Sequence, residues 1–178
     1  MMTELIVIRH GETDWNRQHR FQGQIDVPLN ATGLAQAERL AERLADEPID
    51  VLVASDLQRA HSTALALSRR RRSQAVQVEP LWREQSFGVL EGLDVPTIRG
   101  EHAPLWERYV RHEADYALPG GESNQHFSAR VLRALQATLA AHAGARIAVI
   151  THGGVLDMLW RAARGLPPTM RAENPNTE

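Results

Sequence analysis

The sequence predicts an α/β fold, a single three-layer domain in which helices flank a mostly parallel sheet. Short continuous apolar runs, typical of strands that are buried on both faces, alternate with longer stretches whose apolar residues recur at helical spacing. Such alternation is the pattern of strands joined by crossover helices. A length of 178 residues suffices for one domain with a sizeable core. We therefore expect residues 1–178 to form one domain.

Each element follows from its own stretch of sequence. The helix after the second strand is expected to begin at Ser55, because Ser55-Asp56-Leu57-Gln58 has the Ser-x-x-Gln form of a capping box. The strands are predicted at Leu5–Ile8, Asp50–Ala54, Ala75–Val78 and Arg146–Thr151. The helices are predicted at 35–44, from Ser55 to about 70, at about 95–112, at about 123–142 and from Gly153-Gly154 onward.

The composition excludes several classes of function. A formal net charge of −2 gives no general attraction to nucleic acid, so we expect no nucleic-acid partner. The absence of cysteine removes disulfides, thiol nucleophiles and thiolate metal ligands. No long apolar span and no signal peptide are found, so we expect a cytoplasmic protein with no membrane association. A homodimer is compatible with the sequence, which does not determine the oligomeric state.

Groups that can bind an anion follow three of the predicted strands. The first strand ends in Arg9-His10-Gly11, the second leads to Arg59, and the fourth ends in Thr151-His152-Gly153. Ligands of open parallel sheets bind at the carboxyl ends of the strands. If these strands are neighbours, Arg9, His10, Arg59 and His152 lie together in one crevice.

The residue types in this crevice favour a phosphoryl group. Arg59 lies early in a helix, where a cation opposes the helix dipole, and local rules are broken most often at functional sites. Arginine donates two parallel hydrogen bonds to a pair of anionic oxygens. Two alternatives stay open, ordinary loops and a metal site at His10 and His152. The metal is disfavoured because carboxylates at ligand spacing are missing and Arg9 would repel a cation.

The motif "RHGETDWN" at 9–16 resembles the signature of the histidine phosphatase superfamily, the phosphoglycerate-mutase-like proteins. The resemblance covers nearly the whole chain, and its blocks occur in the order that the family has. The further blocks are "RFQGQIDVPLNATGLAQA" at 20–37, "VASDLQRAHSTA" at 53–64, "LWREQSFGVLEG" at 81–92, "LPGGES" at 118–123 and "VITHGGVL" at 149–156. We therefore expect the family's phosphoglycerate-mutase-like fold.

The resemblance implies a role for each matching residue. His10 corresponds to the nucleophile that becomes phosphorylated, and Glu84 to the proton donor. Arg9, Arg59 and His152 correspond to groups that hold the phosphoryl oxygens. Contacts to phosphate or substrate are implied for Asn16, Gln22, Gly23 and Gly153. Such a mechanism requires no metal and no organic cofactor.

The mechanism makes demands on two pKa values. His10 needs its lone pair, so the charges of Arg9 and Arg59 are expected to lower its pKa. Glu84 must hold a proton near neutral pH, and the charge of a bound phosphate is expected to raise its pKa.

The sequence favours a phosphatase within the family. The acid block "EQSFGVLEG" looks like that of the phosphatase branch, and the segment at about 95–118, a candidate lid, is short. A cofactor-dependent phosphoglycerate mutase and a non-catalytic phosphate-binding protein are the alternatives. The expected substrate is a small phosphorylated metabolite of sugar, glycerate or nucleoside type, with α-ribazole phosphate and broad specificity both open. Residues 165–178 look like a loop without a closing strand, which leaves open whether the C-terminus is complete.

Overall fold

The sheet has four strands, and all of its neighbouring pairs are parallel. The computed structural model describes residues 2–168. The strands are β1 (Glu4–Arg9), β2 (Val51–Ala54), β3 (Val76–Val78) and β4 (Arg146–Thr151), in the spatial order β1-β4-β2-β3. The predicted α/β class with a parallel sheet is confirmed, and each predicted strand is present within two residues of its expected bounds.

Seven helices occur within residues 2–168. They are α1 (Asp14–Arg17), α2 (Ala31–Arg43), α3 (Gln58–Arg70), α4 (Val95–Glu101), α5 (Ala103–Tyr109), α6 (Asn124–Ala141) and α7 (Gly153–Ala163), with 3-10 turns at Pro80–Trp82 and Gly88–Leu90. The helix α6 and the start of α7 at Gly153 agree with the prediction. The helix α2 begins four residues earlier than predicted, where Asn30 accepts a hydrogen bond from the Gly33 amide at 2.8 Å.

Helices cover both faces of the sheet, which gives the three expected layers. Successive strand side chains alternate between two cores. Leu52, Ala54 and Ile150 pack with α2 and α3, whereas Val53 and Val149 pack with α6 and α7. The fully buried core of the domain therefore lies on β2 and β4, the two central strands.

The predictions for β1 and for the helix at about 95–112 were wrong. The strand β1 was expected to be buried on both faces, but it lies at the edge of the described sheet and residues 5–8 are only partly buried. The single helix expected at about 95–112 is two helices that meet at His102. Pro104 lacks the amide hydrogen that a continuous helix would use there, which explains the break.

A third, smaller cluster of side chains joins the 95–118 segment to the body of the domain. Its buried members are Leu90, Ile98 and Leu118. Aromatic rings complete it, with the centroid of Phe21 5.0 Å from Phe87 and 5.6 Å from Tyr109. The predictions about residues 169–178, including any closing strand, lie outside the described residues.

Candidate active site

The carboxyl ends of β1, β4 and β2 are adjacent, as the sequence predicts. Arg9 pairs with Thr151 in the β1–β4 register, so the residues that follow them are brought side by side. The imidazole rings of His10 and His152 lie with their centroids 5.2 Å apart. Beside them, β2 leads into α3, whose second residue is Arg59. The four predicted anion-binding residues thus meet at the carboxyl ends of these strands.

The backbone fixes the tautomer of His10. Its Nδ1 lies 2.6 Å from the Gly11 carbonyl oxygen, so Nδ1 carries the hydrogen and donates it. The lone pair is then on Nε2. Burial lowers the pKa of His10 to about 3, helped by the charges of Arg59 and Arg9 and opposed by the Gly11 hydrogen bond. The expected lowering is present, but burial is its main cause.

The guanidinium of Arg59 is buried and held by two backbone carbonyls. Its side chain donates from Nη1 to Ile25 at 2.8 Å and from Nη2 to Gly23 at 2.7 Å. Its Nε is buried and has no hydrogen-bond partner among the described residues. A buried cationic donor without an acceptor is costly, and an anionic oxygen would satisfy it.

His152 is fully buried and bonded to the residue that was predicted to cap α3. Its Nε2 lies 2.9 Å from Ser55 Oγ, and its Nδ1 has no partner among the described residues. The capping box at Ser55 was therefore wrong, and α3 begins after Leu57, where Asp26 accepts a hydrogen bond from the Gln58 amide at 2.7 Å. Burial, followed by the charge of His10, holds the His152 pKa well below its usual value.

Ser55 can favour one tautomer of His152. Ser55 Oγ accepts a hydrogen bond from the Leu57 amide at 3.3 Å, and its hydroxyl hydrogen can be donated to Nε2 of His152. In that arrangement the ring hydrogen is on Nδ1. A neutral His152 can then donate a hydrogen bond to an oxygen anion.

The carboxyl group of Glu84 accepts two backbone hydrogen bonds. These come from Gln85 at 2.8 Å and from Gly154 at 3.0 Å. Burial raises the pKa of Glu84, against the two amides and the charges of Arg59 and Arg9. The raised pKa was expected from a bound phosphate, but the protein already raises it by desolvation.

The comparisons with known proteins agree with this geometry. The family model of the histidine phosphatase superfamily (branch 1) matches residues 5–177. The chain belongs to this superfamily. A metal-independent phosphoserine phosphatase of Arabidopsis thaliana is 38% identical over 161 residues, covering 89% of this chain and 68% of that protein. A protein named "Probable phosphoglycerate mutase GpmB", from Enterobacter sp. (strain 638), is 37% identical over 166 residues, covering 93% and 77%.

Solved structures of phosphatases have the same fold. A mycobacterial glucosyl-3-phosphoglycerate phosphatase superposes with a TM-score of 0.81 at 35% identity, covering 93% of this chain and 83% of that one. The α-ribazole phosphatase of Shigella flexneri superposes with a TM-score of 0.84 at 30% identity, covering 92% and 81%. The phosphoglycerate-mutase-like fold expected from the resemblance is confirmed.

The four other predicted site residues of this histidine phosphatase line one cavity of about 210 Å³, together with Arg9, His10, Arg59 and Glu84. Asn16 Oδ1 accepts from the Thr13 amide at 2.9 Å, and Gln22 Oε1 accepts from the Thr13 hydroxyl at 2.7 Å. Both amide groups are thereby oriented by their oxygens, which leaves their NH₂ groups as donors.

Two glycines approach carboxylates closely. Gly23 has φ +51°, and a Cβ there would lie 2.0 Å from Glu91 Oε1. A Cβ on Gly154 would lie 2.3 Å from Glu84 Oε1, whereas one on Gly153 would meet the Arg9 guanidinium at an ordinary 3.4 Å. Of these two neighbouring glycines, Gly154 therefore permits the close approach to Glu84, and Gly153 lines the cavity.

Sequence reasoning missed several residues around Glu84. A second cavity of about 370 Å³ shares Arg9, Glu84 and Gly153 with the first. Two aromatic residues, Phe87 and Tyr109, also line both cavities. Phe87 stands in the acid block, so its place near Glu84 could have been found. Tyr109 comes from the 95–118 segment, the candidate lid, where the sequence alone does not separate a residue of the site from one that packs in the core.

Two further findings concern metal ions and membranes. Within residues 2–168, no group of three or more His, Asp or Glu side chains is arranged to hold a metal ion. No helix in that part of the chain is long and apolar enough to cross a membrane.

Proposed function

We propose that this histidine phosphatase is a metal-independent phosphomonoesterase that hydrolyses a small phosphorylated metabolite through a phosphohistidine on His10. One observation carries the proposal: His10 and Arg59 line one cavity, the His152 ring lies 5.2 Å from that of His10, and the buried Arg59 Nε and His152 Nδ1 lack partners among the described residues. Each of these two nitrogens would be satisfied by a phosphoryl oxygen. Arg9 and the NH₂ groups of Asn16 and Gln22 would complete the oxygen contacts.

The first step transfers the phosphoryl group to the protein. The Nε2 lone pair of His10 forms a bond to phosphorus while the ester P–O bond breaks. Glu84, protonated through its raised pKa, gives its proton to the leaving oxygen. The positive charge that His10 gains is shared with the Gly11 carbonyl through Nδ1–H. Arg9, Arg59 and His152 stabilise the negative charge on the equatorial oxygens.

The second step regenerates the protein with water. The Glu84 carboxylate takes a proton from water as the water oxygen bonds to phosphorus. The P–N bond breaks, and its electron pair returns to Nε2 of His10. Inorganic phosphate leaves, Glu84 is protonated again and His10 is neutral. Every atom and proton is accounted for without a metal or an organic cofactor.

The leaving alcohol would occupy the larger cavity. Its wall combines aromatic and apolar side chains with polar ones, namely Phe87, Tyr109, Phe127 and Met158 with Gln85, Asn124, Asp157 and Arg161. A mixed lining fits a polar metabolite of sugar, glycerate or nucleoside type. The names of the relatives support phosphate esters of this kind. We propose the cytoplasm as the simplest location.

The decisive assay is hydrolysis of 4-nitrophenyl phosphate in the presence of EDTA. We expect wild-type turnover to resist EDTA and His10→Ala to lower it by at least about 10⁴-fold. His142→Ala is the matched control, since His142 follows α6 and its Nε2 lies 3.0 Å from Oε1 of Gln77 on β3, the strand farthest from β1 in the sheet. Turnover that requires added divalent metal, or that survives His10→Ala, would contradict the mechanism.

Phosphoglycerate mutase is the second candidate, favoured by the name of the Enterobacter relative. A mutase must keep water from the phosphorylated protein while the product turns around. Adding 2,3-bisphosphoglycerate to 3-phosphoglycerate separates the two activities: isomerisation identifies a mutase, and release of phosphate identifies the phosphatase. Phosphate binding without turnover of any ester would identify the non-catalytic alternative.

A further inference from the structure

We propose that Arg130 and Glu122 form a clamp that positions Glu84 for proton transfer to the leaving group. The proposal rests on the proposed function, in which Glu84 is the general acid. Arg130 lies on α6 and Glu122 just before it, and neither was singled out by sequence reasoning as a site residue. Neither touches the phosphoryl-binding groups, so both would act as positioning residues.

The guanidinium of Arg130 uses all five of its N–H groups. Nε and Nη2 donate to the two carboxylate oxygens of Glu122 at 2.8 and 2.7 Å. Nη1 donates to the carbonyls of Leu81 and Arg83, both at 2.9 Å, and Nη2 also donates to the carbonyl of Glu84 at 3.0 Å. One side chain therefore binds three carbonyls of the loop that carries the proton donor.

Further contacts hold the rest of this acid loop, residues 81–86. Glu122 Oε2 accepts a hydrogen bond from the Ser86 amide at 3.0 Å. The hydroxyl of Thr151 donates to the Trp82 carbonyl at 2.6 Å. With its backbone held on both sides, Glu84 can place its carboxyl group against the Gly154 amide. The clamp thus acts on the orientation of the acid, not on the phosphoryl group.

The charges of the clamp remain paired across the working pH range. Burial alone would raise the Glu122 pKa, but the hydrogen bonds from Arg130 and from the Ser86 amide hold it below its usual value. Glu122 therefore stays anionic, and the side chains are largely covered, 11% exposed for Arg130 and 22% for Glu122. An ion pair of this kind positions the loop without adding net charge beside Glu84.

A misplaced acid has a specific kinetic signature. Alkyl alkoxides are poor leaving groups and need a proton, whereas 4-nitrophenolate departs without one. The ratio kcat/KM reports only the steps through phosphoryl transfer to His10, so it isolates the leaving-group step from the later hydrolysis. We compare kcat/KM for glycerol 2-phosphate with kcat/KM for 4-nitrophenyl phosphate.

The test variant is Arg130→Gln. We expect kcat/KM for glycerol 2-phosphate to fall by about 100-fold and that for 4-nitrophenyl phosphate by less than about fivefold. The matched control is Arg71→Gln. Arg71 likewise donates to backbone carbonyls, those of Leu44, Ala45, Glu47 and Ile49, but it lies beyond the C-terminus of α3, away from the site. Its loss should leave the ratio between the two esters unchanged.

The outcomes separate the proposals. Equal losses on both esters in Arg130→Gln, or no loss on either, would overturn the clamp. Turnover of neither ester by the wild-type protein would instead overturn the proposed phosphatase. If Arg130→Gln does not fold, Glu122→Gln provides a second test, because it keeps the three carbonyl contacts of Arg130 and weakens the contacts of Glu122 with Arg130 and with the Ser86 amide. A leaving-group difference of at least about threefold in Glu122→Gln supports the clamp, and none overturns it.

Discussion

The two halves of the candidate active site are built in different ways. The phosphoryl half consists of His10, Arg59 and His152, each at the end of a strand or the start of a helix. The two histidines are each held through one ring nitrogen and Arg59 through Nη1 and Nη2, and in the proposed mechanism each keeps a further nitrogen for a ligand. The leaving-group half consists of the acid loop and of aromatic residues from the 95–118 segment.

This difference separates the chemistry from the specificity. The phosphoryl half rests on the ends of β1, β4 and β2 and on backbone contacts, so we expect its geometry to depend little on which alcohol is bound. The leaving-group half is an arrangement of loop and short helices, which can vary without disturbing the sheet. We therefore expect substitutions in the two halves to have different kinetic signatures.

Replacement of the acid should have the largest effect that distinguishes the halves. Glu84→Gln keeps the size of the side chain and removes the transferable proton. We expect kcat/KM for glycerol 2-phosphate to fall by about 10²- to 10⁴-fold, with a much smaller loss for 4-nitrophenyl phosphate. Steady-state kinetics on both esters provide the measurement. Equal losses of kcat/KM on both esters would assign Glu84 to phosphoryl binding and contradict the proposed division between the phosphoryl half and the leaving-group half.

The pH profile sharpens the same comparison. The mechanism needs neutral His10, whose pKa is about 3, and protonated Glu84, whose pKa is raised. For an alkyl ester, kcat/KM should therefore rise as pH increases through about 3 and fall as pH increases through the raised pKa of Glu84. In Glu84→Gln the fall at higher pH should disappear. A fall that persists in this variant would mean that another group supplies the proton.

Substitution of Ser55 should have a smaller effect on kcat/KM, and this effect should arise in the phosphoryl half alone. Ser55→Ala removes the hydroxyl that bonds to His152 Nε2, so the Nδ1–H tautomer is no longer favoured. We expect kcat/KM to fall by about tenfold, and equally for both esters, since phosphoryl contacts do not depend on the leaving group. Ser68→Ala is the control, because Ser68 Oγ donates to a backbone carbonyl, that of Gln74, near the far end of α3. An effect of Ser55→Ala on only one ester would contradict the assignment.

Substitution of Tyr109 should have the smallest kinetic effect, and this effect should be confined to the leaving-group half. Burial and the charge of Glu84 raise the Tyr109 pKa to about 12, so its hydroxyl remains a donor at working pH. Tyr109→Phe keeps the aromatic packing with Phe21. We expect KM for glycerol 2-phosphate to rise by about three- to tenfold and KM for 4-nitrophenyl phosphate to change less. Tyr116→Phe, in the same segment, is the control, and the inference fails if the two variants behave alike.

The two halves also differ in how well the sequence predicts them. The phosphoryl half was predictable because apolar strands precede Arg9-His10 and His152, and parallel strands bring their carboxyl ends together. The Ser55 capping box failed because its true partner, His152, is 97 residues away. Local rules cannot detect a competitor at such a distance. The start of α3 was displaced to Gln58 for the same reason.

The leaving-group half depends more strongly on distant contacts. Arg130 meets the acid loop across 46 to 49 residues of sequence, and nothing local to α6 marks it. The break between α4 and α5 could have been anticipated from Pro104, whereas the placement of Tyr109 between two cavities could not. Burial as the main cause of the His10 and Glu84 pKa shifts likewise appears only in three dimensions.

The central claim is that His10 carries the phosphoryl group during turnover. The most direct measurement is rapid acid-free quenching of the wild-type protein with a phosphate ester, followed by peptide mass spectrometry and a test of acid lability. The account predicts an acid-labile phosphoryl group on the peptide that contains His10, absent in His10→Ala and unaffected by His142→Ala. A phosphoryl group on any other residue, or turnover with no phosphorylated protein under conditions that trap the intermediate of a known phosphohistidine enzyme, would contradict it.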